Sequence, residues 1–145
     1  MNIVARMSLS AVALFSGPAM AQESAAPPMA VVRESDVERR EPVPHGAIGM
    51  STAYRISDAV PQPRRMEFRR RVLDVGAAIG EHPIAHDEVY HVTAGEGVVV
   101  SDGVEAALEP GMTAYLYDGA VVGIRQVGEE PLSLIIAYPV KAPVE

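Results

Sequence analysis

Three side chains able to carry chemistry fall within seven residues: His82, His86 and Glu88. They lie in the stretch Gly76-Ala-Ala-Ile-Gly-Glu-His82-Pro-Ile84-Ala-His86-Asp-Glu88-Val-Tyr-His91-Val-Thr-Ala-Gly95. Imidazole and carboxylate are the ligands that suit divalent zinc, iron, manganese, nickel or copper. Without a metal, the same groups orient a small organic molecule by hydrogen bonds. The chain contains no cysteine, so it has neither a thiolate site nor a disulfide. On one flat strand His82 and His86 would stand ~13 Å apart at ~3.3 Å per residue. A turn between them is therefore required if they are to share an ion.

The glycine spacings around these residues carry a second signal. Gly76, five residues, His82, one residue, Ile84, three residues, Glu88, six residues and Gly95 form one frame. Gly111, five residues, Tyr117, Asp118, Gly119, two residues, Val122, three residues and Gln126 form another, fifteen residues further on. Together they resemble the two motifs of the cupin superfamily, in the form of a small single-domain, type 2-like cupin. The resemblance covers roughly residues 68–139. It implies an all-β fold, the antiparallel jelly-roll β-barrel, and a site inside the barrel built on His82 and Glu88. Ile84 and Val122 stand where the family places its other two histidines, Tyr117 where it places a proline, and Gln126 where it places an asparagine. The second motif is thus degenerate in ligands. His86 is the residue able to replace a lost ligand, if the turn bends inward.

Two functions follow from that resemblance. In the first, His82, His86 and Glu88 hold a divalent metal ion, and the barrel binds a small organic substrate for oxygenase-, isomerase- or lyase-type chemistry. Glu88 and Tyr117 are then the catalytic candidates. In the second, the metal site has decayed and the chain is a metal-free small-molecule binding or sensing module. A homodimer is expected in either case, because short barrels with exposed edge strands commonly pair.

Other residues offer weaker candidates. His45, before Gly46, sits at the entry to the domain, and His91 has the opposite strand parity to Glu88 and is expected to face outward. Tyr115 shares the parity of Tyr117. Arg64, Arg65, Arg69, Arg70 and Arg71 read as a solvated or salt-bridged face, with anion binding at Arg70 or Arg125 as the alternative.

The elements that must position these residues read as strands. Met66 to Val75, Val89 to Thr93, Val98 to Val100, Thr113 to Tyr117, Ala120 to Val127 and Leu132 to Tyr138 are β-rich runs between turn signals. Asp102-Gly103 marks a hairpin, because both residues accept positive φ. Val98, Val100, Leu116 and Ile135 are the expected core or sheet-packing positions. No long segment has a helical period. Residues 22–44, rich in proline and charge, read as a flexible polar tether, with Val31-Val32 as a short edge strand. Residues 45–145 form the single domain.

Residues 1–21 read as a secretory signal peptide: Arg6, the uncharged run Met7 to Phe15, the breaker Gly17-Pro18, and the cleavage form Ala19-Met20-Ala21. The apolar run is too short to span a bilayer. The whole chain has a formal net charge of −7, from 12 Lys+Arg and 19 Asp+Glu. Cleavage removes only Arg6, leaving −8, an acidic balance that disfavours nucleic acid and anionic membrane as partners. The expected location is the periplasm or the exterior. N-terminal sequencing of protein recovered from the periplasm should begin at Gln22; an intact Met1 on cytoplasmic protein would contradict this.

Overall fold

The computed structural model describes residues 27–46 and 48–141. The signal-peptide reading of residues 1–21 lies outside the described residues. The described chain is ten antiparallel strands: β1 (Glu38–Pro42), β2 (Met50–Tyr54), β3 (Met66–Leu73), β4 (Ala78–Pro83), β5 (Glu88–Ala94), β6 (Glu96–Ser101), β7 (Val104–Leu108), β8 (Thr113–Leu116), β9 (Val121–Val127) and β10 (Leu132–Pro139). Two single 3-10 turns, Glu34–Asp36 and Ile56–Ala59, are the only helical pieces among the described residues. The strands make a six-stranded sheet, β1-β2-β3-β10-β5-β8, and a four-stranded sheet, β4-β9-β6-β7. This is the jelly-roll arrangement expected from the sequence.

Alternation decides what lies between the sheets. On β5, Glu88, Tyr90 and Val92 are buried; on β10, Leu132, Leu134 and Ile136 are; on β3, Glu67, Arg71 and Leu73 are. The pairing stacks these residues in rows across the large sheet. Leu73 faces Leu132, Arg71 faces Leu134 and then Val92, Arg69 faces Ile136 and then Tyr90, and Glu67 faces Tyr138. The interior is thus graded along the strands, apolar at the Leu73 end and polar at the Glu67 end. Apolar burial of this kind contributes about 25 cal/mol per Å², and it is concentrated at one end. The other end is where a ligand could be accommodated.

The Asp102-Gly103 turn is as the sequence predicts, with φ of 47° and 78° joining β6 to β7. Three expectations change. The inward valine of Val98-Val99-Val100 is Val99, because buried Gly97 of the same parity lies against Leu132. Ile135 likewise yields the inward positions to its neighbours Leu134 and Ile136. The expected tether contains β1, paired along its length with β2, whereas Val31-Val32 forms no strand. The charged run from Arg33 to Glu41 is held because its members meet partners in the domain: Glu34 with Arg70, Arg40 with Asp74, and Glu41 with Arg55 and Arg71.

The two glycines that bracket the first motif serve different needs. Gly76 has φ of 80° and open space where a methyl group would stand. At Gly95, φ 71°, a Cβ would collide with the Pro131 carbonyl oxygen. Gly76→Ala should cost ~1–2 kcal/mol, the left-handed penalty alone. Gly95→Ala should cost at least ~2 kcal/mol more, because backbone must move. Urea unfolding measures both; equal losses would contradict the close approach of β5 to the turn before β10.

Candidate functional site

The polar end of the interior opens into a cavity of about 330 Å³. His82, His86 and Glu88 all line it, together with His45, Arg69, Arg71, Tyr90 and Tyr138 and the apolar side chains Ile79, Ile84 and Ile136. His82 and Glu88 do not share a hairpin. His82 ends β4 in the small sheet, and Glu88 begins β5 in the large one. The segment between them crosses from sheet to sheet, so the two side chains reach the same cavity from opposite walls. That crossing carries His86, which does bend inward.

Each imidazole is held by a distinct contact. His82 Nδ1 lies 2.9 Å from the Gly80 carbonyl. A carbonyl only accepts, so Nδ1 carries a proton, and the tautomer this contact selects has its lone pair on Nε2. His86 Nε2 donates to Glu88 Oε2 at 3.2 Å, and its ring stacks on Tyr138 at 4.2 Å between centroids. His45 comes from the β1–β2 loop, with φ of 65°, and stacks on His82 at 3.6 Å with the rings 8° from parallel. Burial, then the fields of His82 and Arg71, hold His45 below the usual imidazole range. It is therefore neutral at pH 7.

Glu88 is 6% exposed. Burial pushes its carboxyl above the usual range, and the His86 hydrogen bond opposes that shift only in part. Tyr90, directly inward on the same strand, is raised by burial and then by the charge of Glu88. Arg69 Nη2 donates to the Tyr138 hydroxyl at 3.0 Å and to Glu67 at 3.2 Å. Arg71 donates to Ser51 Oγ at 2.7 Å and to Glu41 at 2.8 Å. The site thus combines a partly buried acid–base pair, two planar stacked pairs and two guanidiniums.

Other sequence candidates fall elsewhere. Tyr117 is 70% exposed, tilted against Tyr115, and is not brought to the cavity. Tyr115 donates to Asp87 at 2.6 Å outside it, which with the Asp118 amide holds Asp87 below the usual carboxylate range. His91 bonds Thr113 on the outer side, as its parity requires. Arg70 faces outward over the Tyr54 ring. Val122 is fully buried opposite His82, and Ile84 is buried in the cavity wall. Gln126 takes the Gly76 amide and gives its own amide to three carbonyls, at Val127, Gly128 and Glu130. It is a clamp on turns, away from the cavity. The sequence reading missed Arg69 and Arg71. Their parity with Leu73 was the available signal.

The donor chemistry suits a divalent cation in part. His82 offers a free Nε2 fixed by a backbone carbonyl, the orientation that metal-ligating histidines usually have. His86 and Glu88 are instead bonded to each other. Among the described residues, no group of three or more His, Asp or Glu side chains stands close enough together to hold an ion.

No family model matches the chain, and no curated protein matches it. Solved structures do. A predicted oxalate decarboxylase from Thermotoga maritima superposes with a TM-score of 0.69 at 22% identity, covering 77% of this chain and 100% of that one. The polyketide cyclase RemF from Streptomyces resistomycificus gives 0.66 at 18%, covering 80% and 82%. An RmlC-like cupin from Shewanella frigidimarina gives 0.57 at 18%, covering 74% and 88%. The fold of this chain is the cupin fold.

The raised Glu88 carboxyl has a consequence for stability. A folded-state value above the unfolded one means the native protein binds that proton more tightly, so the group favours folding at acid pH and loses that effect as pH rises through its folded value. Glu88→Gln, which cannot ionise, should melt above wild type at pH 7–8. The gap should close near pH 4. A lower melting temperature at pH 7–8 would show that the carboxylate is a net stabiliser.

Proposed function

We propose that this chain binds a small polar organic molecule in the cavity between its sheets, and that His86 and Glu88 exchange a proton with it. The observation that carries the proposal is the hydrogen bond between half-buried His86 and buried Glu88 at the wall of an open cavity. A raised carboxyl beside an imidazole is poised for general acid–base work, where proton affinities near ambient pH are most effective. His82 presents Nε2 to accept a hydrogen bond, and the stacked rings suit a flat molecule. Proteins of like fold named a predicted oxalate decarboxylase and a polyketide cyclase support a small organic substrate and isomerase- or lyase-type proton transfer. The fold alone does not choose the reaction.

A second reading rests on the His82 contact to Gly80. With a modest side-chain shift, His82, His86 and Glu88 would hold one divalent cation. Such an ion would polarise a ligand oxygen or activate bound water. The proposal also includes export of the chain after cleavage before Gln22, supported by the order of the N-terminal signals. Pairing of two copies is included too, supported by the exposed edge strand β7.

Thermal-shift screening of small organic molecules tests the main reading. A ligand at 100 times its dissociation constant stabilises the fold by about 2.7 kcal/mol. His86→Ala and Glu88→Gln should lose most of that shift, His91→Ala should keep it, and a chelator should leave it unchanged. A shift that disappears with chelator and with His82→Ala, alongside stoichiometric zinc, iron, manganese, nickel or copper, would replace the main reading by the second.

A further inference from the structure

We propose that the molecule the cavity takes is a small organic monocarboxylate, its single negative charge matched by one surplus positive charge built into the wall. This deepens the small-molecule reading and rests on it. The charged side chains of β3 do not stand alone. Arg71 pairs with Glu41 at 2.8 Å, Glu41 with Arg55 at 2.8 Å, Arg55 with Asp58 at 3.9 Å, and Asp58 with Arg64 at 3.9 Å. Arg64 pairs with Glu67 at 2.9 Å, and Glu67 with Arg69 at 3.2 Å. Seven charges alternate along this chain of contacts. It begins and ends on guanidiniums, Arg71 and Arg69, and both line the cavity.

The count decides the sign. Four arginines face three carboxylates, so the network carries one net positive charge. The other arginine ion pairs among the described residues, Arg40–Asp74, Arg70–Glu34 and Arg125–Glu105, are one to one. The network with a surplus is the one that terminates in the cavity. Its outer members are well exposed and screened, Asp58 at 43% of its side chain, whereas Arg71 is at 3%. The uncompensated charge is thus felt most where solvent is least. Among the described residues, the only carboxylate in the cavity wall is Glu88, hydrogen-bonded to His86 at 3.2 Å; with a proton on either member the pair adds no charge, and the surplus of the arginine network stands.

The rest of the wall selects an organic body over an inorganic anion. Ile79, Ile84 and Ile136 line the cavity, and the near-parallel pairs His45–His82 and His86–Tyr138 flank it. A flat or apolar body belongs there, with its carboxylate toward the guanidiniums, whose planar fork matches two oxygens. One surplus charge suits a monoanion. A dianion would leave a charge buried without a partner.

Calorimetric titration of the purified protein at pH 7 with acetate, benzoate, acetamide, benzamide and inorganic phosphate tests this. A carboxylate should bind about tenfold or more tighter than its matched amide, and phosphate should bind more weakly than benzoate. Arg69→Gln should remove the preference for the acid over the amide. Glu67→Gln adds one unit of surplus charge and should strengthen it. Arg125→Gln should leave it unchanged. The opposed signs separate a charge effect from damage to the fold, and a melting curve on each variant identifies any that do not fold. Acid and amide binding equally, with both lost in the cavity-filling Ile84→Trp, would overturn the carboxylate while the small-molecule reading stands. Binding of none of the five at millimolar concentration, with Ile84→Trp indistinguishable from wild type, would overturn both.

Discussion

Charge buried at one end of the interior is the constraint on which the rest of the structure depends. Strand β3 sends Glu67, Arg69 and Arg71 inward on the same face as Leu73. Taking a guanidinium such as Arg71 out of water costs several kcal/mol unless close partners replace the solvent. Glu41 and Ser51 are those partners, and both come from the segment that precedes the motif-bearing core. Strands β1 and β2 therefore add to the edge of the large sheet, and the loop between them is fixed over the cavity mouth. His45 rides on that loop, and its ring reaches His82 for this reason.

The same constraint shapes the site. The polar end cannot be filled with aliphatic side chains, because β3 already places ions there, so space remains for a ligand. Glu88 joins this polar end one row beyond Tyr90, paired with His86 from the sheet-to-sheet crossing. Ile79 and Ile84 line the cavity with apolar surface. The result is a cavity with hydrogen-bonding groups on two sides and dry surface between them. A site that keeps a carboxyl above its usual range stores some instability in exchange for reactivity, the usual relation between stability and function.

Much of this was legible in the sequence, for identifiable reasons. Asp102-Gly103 forces a hairpin through its positive φ, and the glycines at 76, 95 and 111 fix the motif frames, so the strand order around the site could be read. His82, His86 and Glu88 do share one cavity. Their arrangement was less legible, because a six-residue separation does not say whether the chain turns within a sheet or crosses between sheets. Three valines in a row hide their parity, and only contact with Leu132 singles out Val99 through Gly97. The arginine run hid Arg69 and Arg71 in the same way, since neighbours of one type show no alternation. Charges in residues 33–41 looked solvated because their partners lie far away in sequence. Tyr117 followed the family frame in number but sits on the outer side, where backbone spacing alone gives no direction.

The convergence of His45, His82 and His86 on one cavity is the claim that supports everything else, and nitrogen-15 NMR of the imidazoles tests it most directly. The structure requires a proton on His82 Nδ1, His45 neutral at pH 7, and His86 signals that shift on Glu88→Gln. It also requires each of the His45 and His82 signals to shift when the other ring is replaced. His82 without a proton on Nδ1, His45 and His82 signals that ignore each other, and His86 insensitive to Glu88→Gln would show that the site is not assembled.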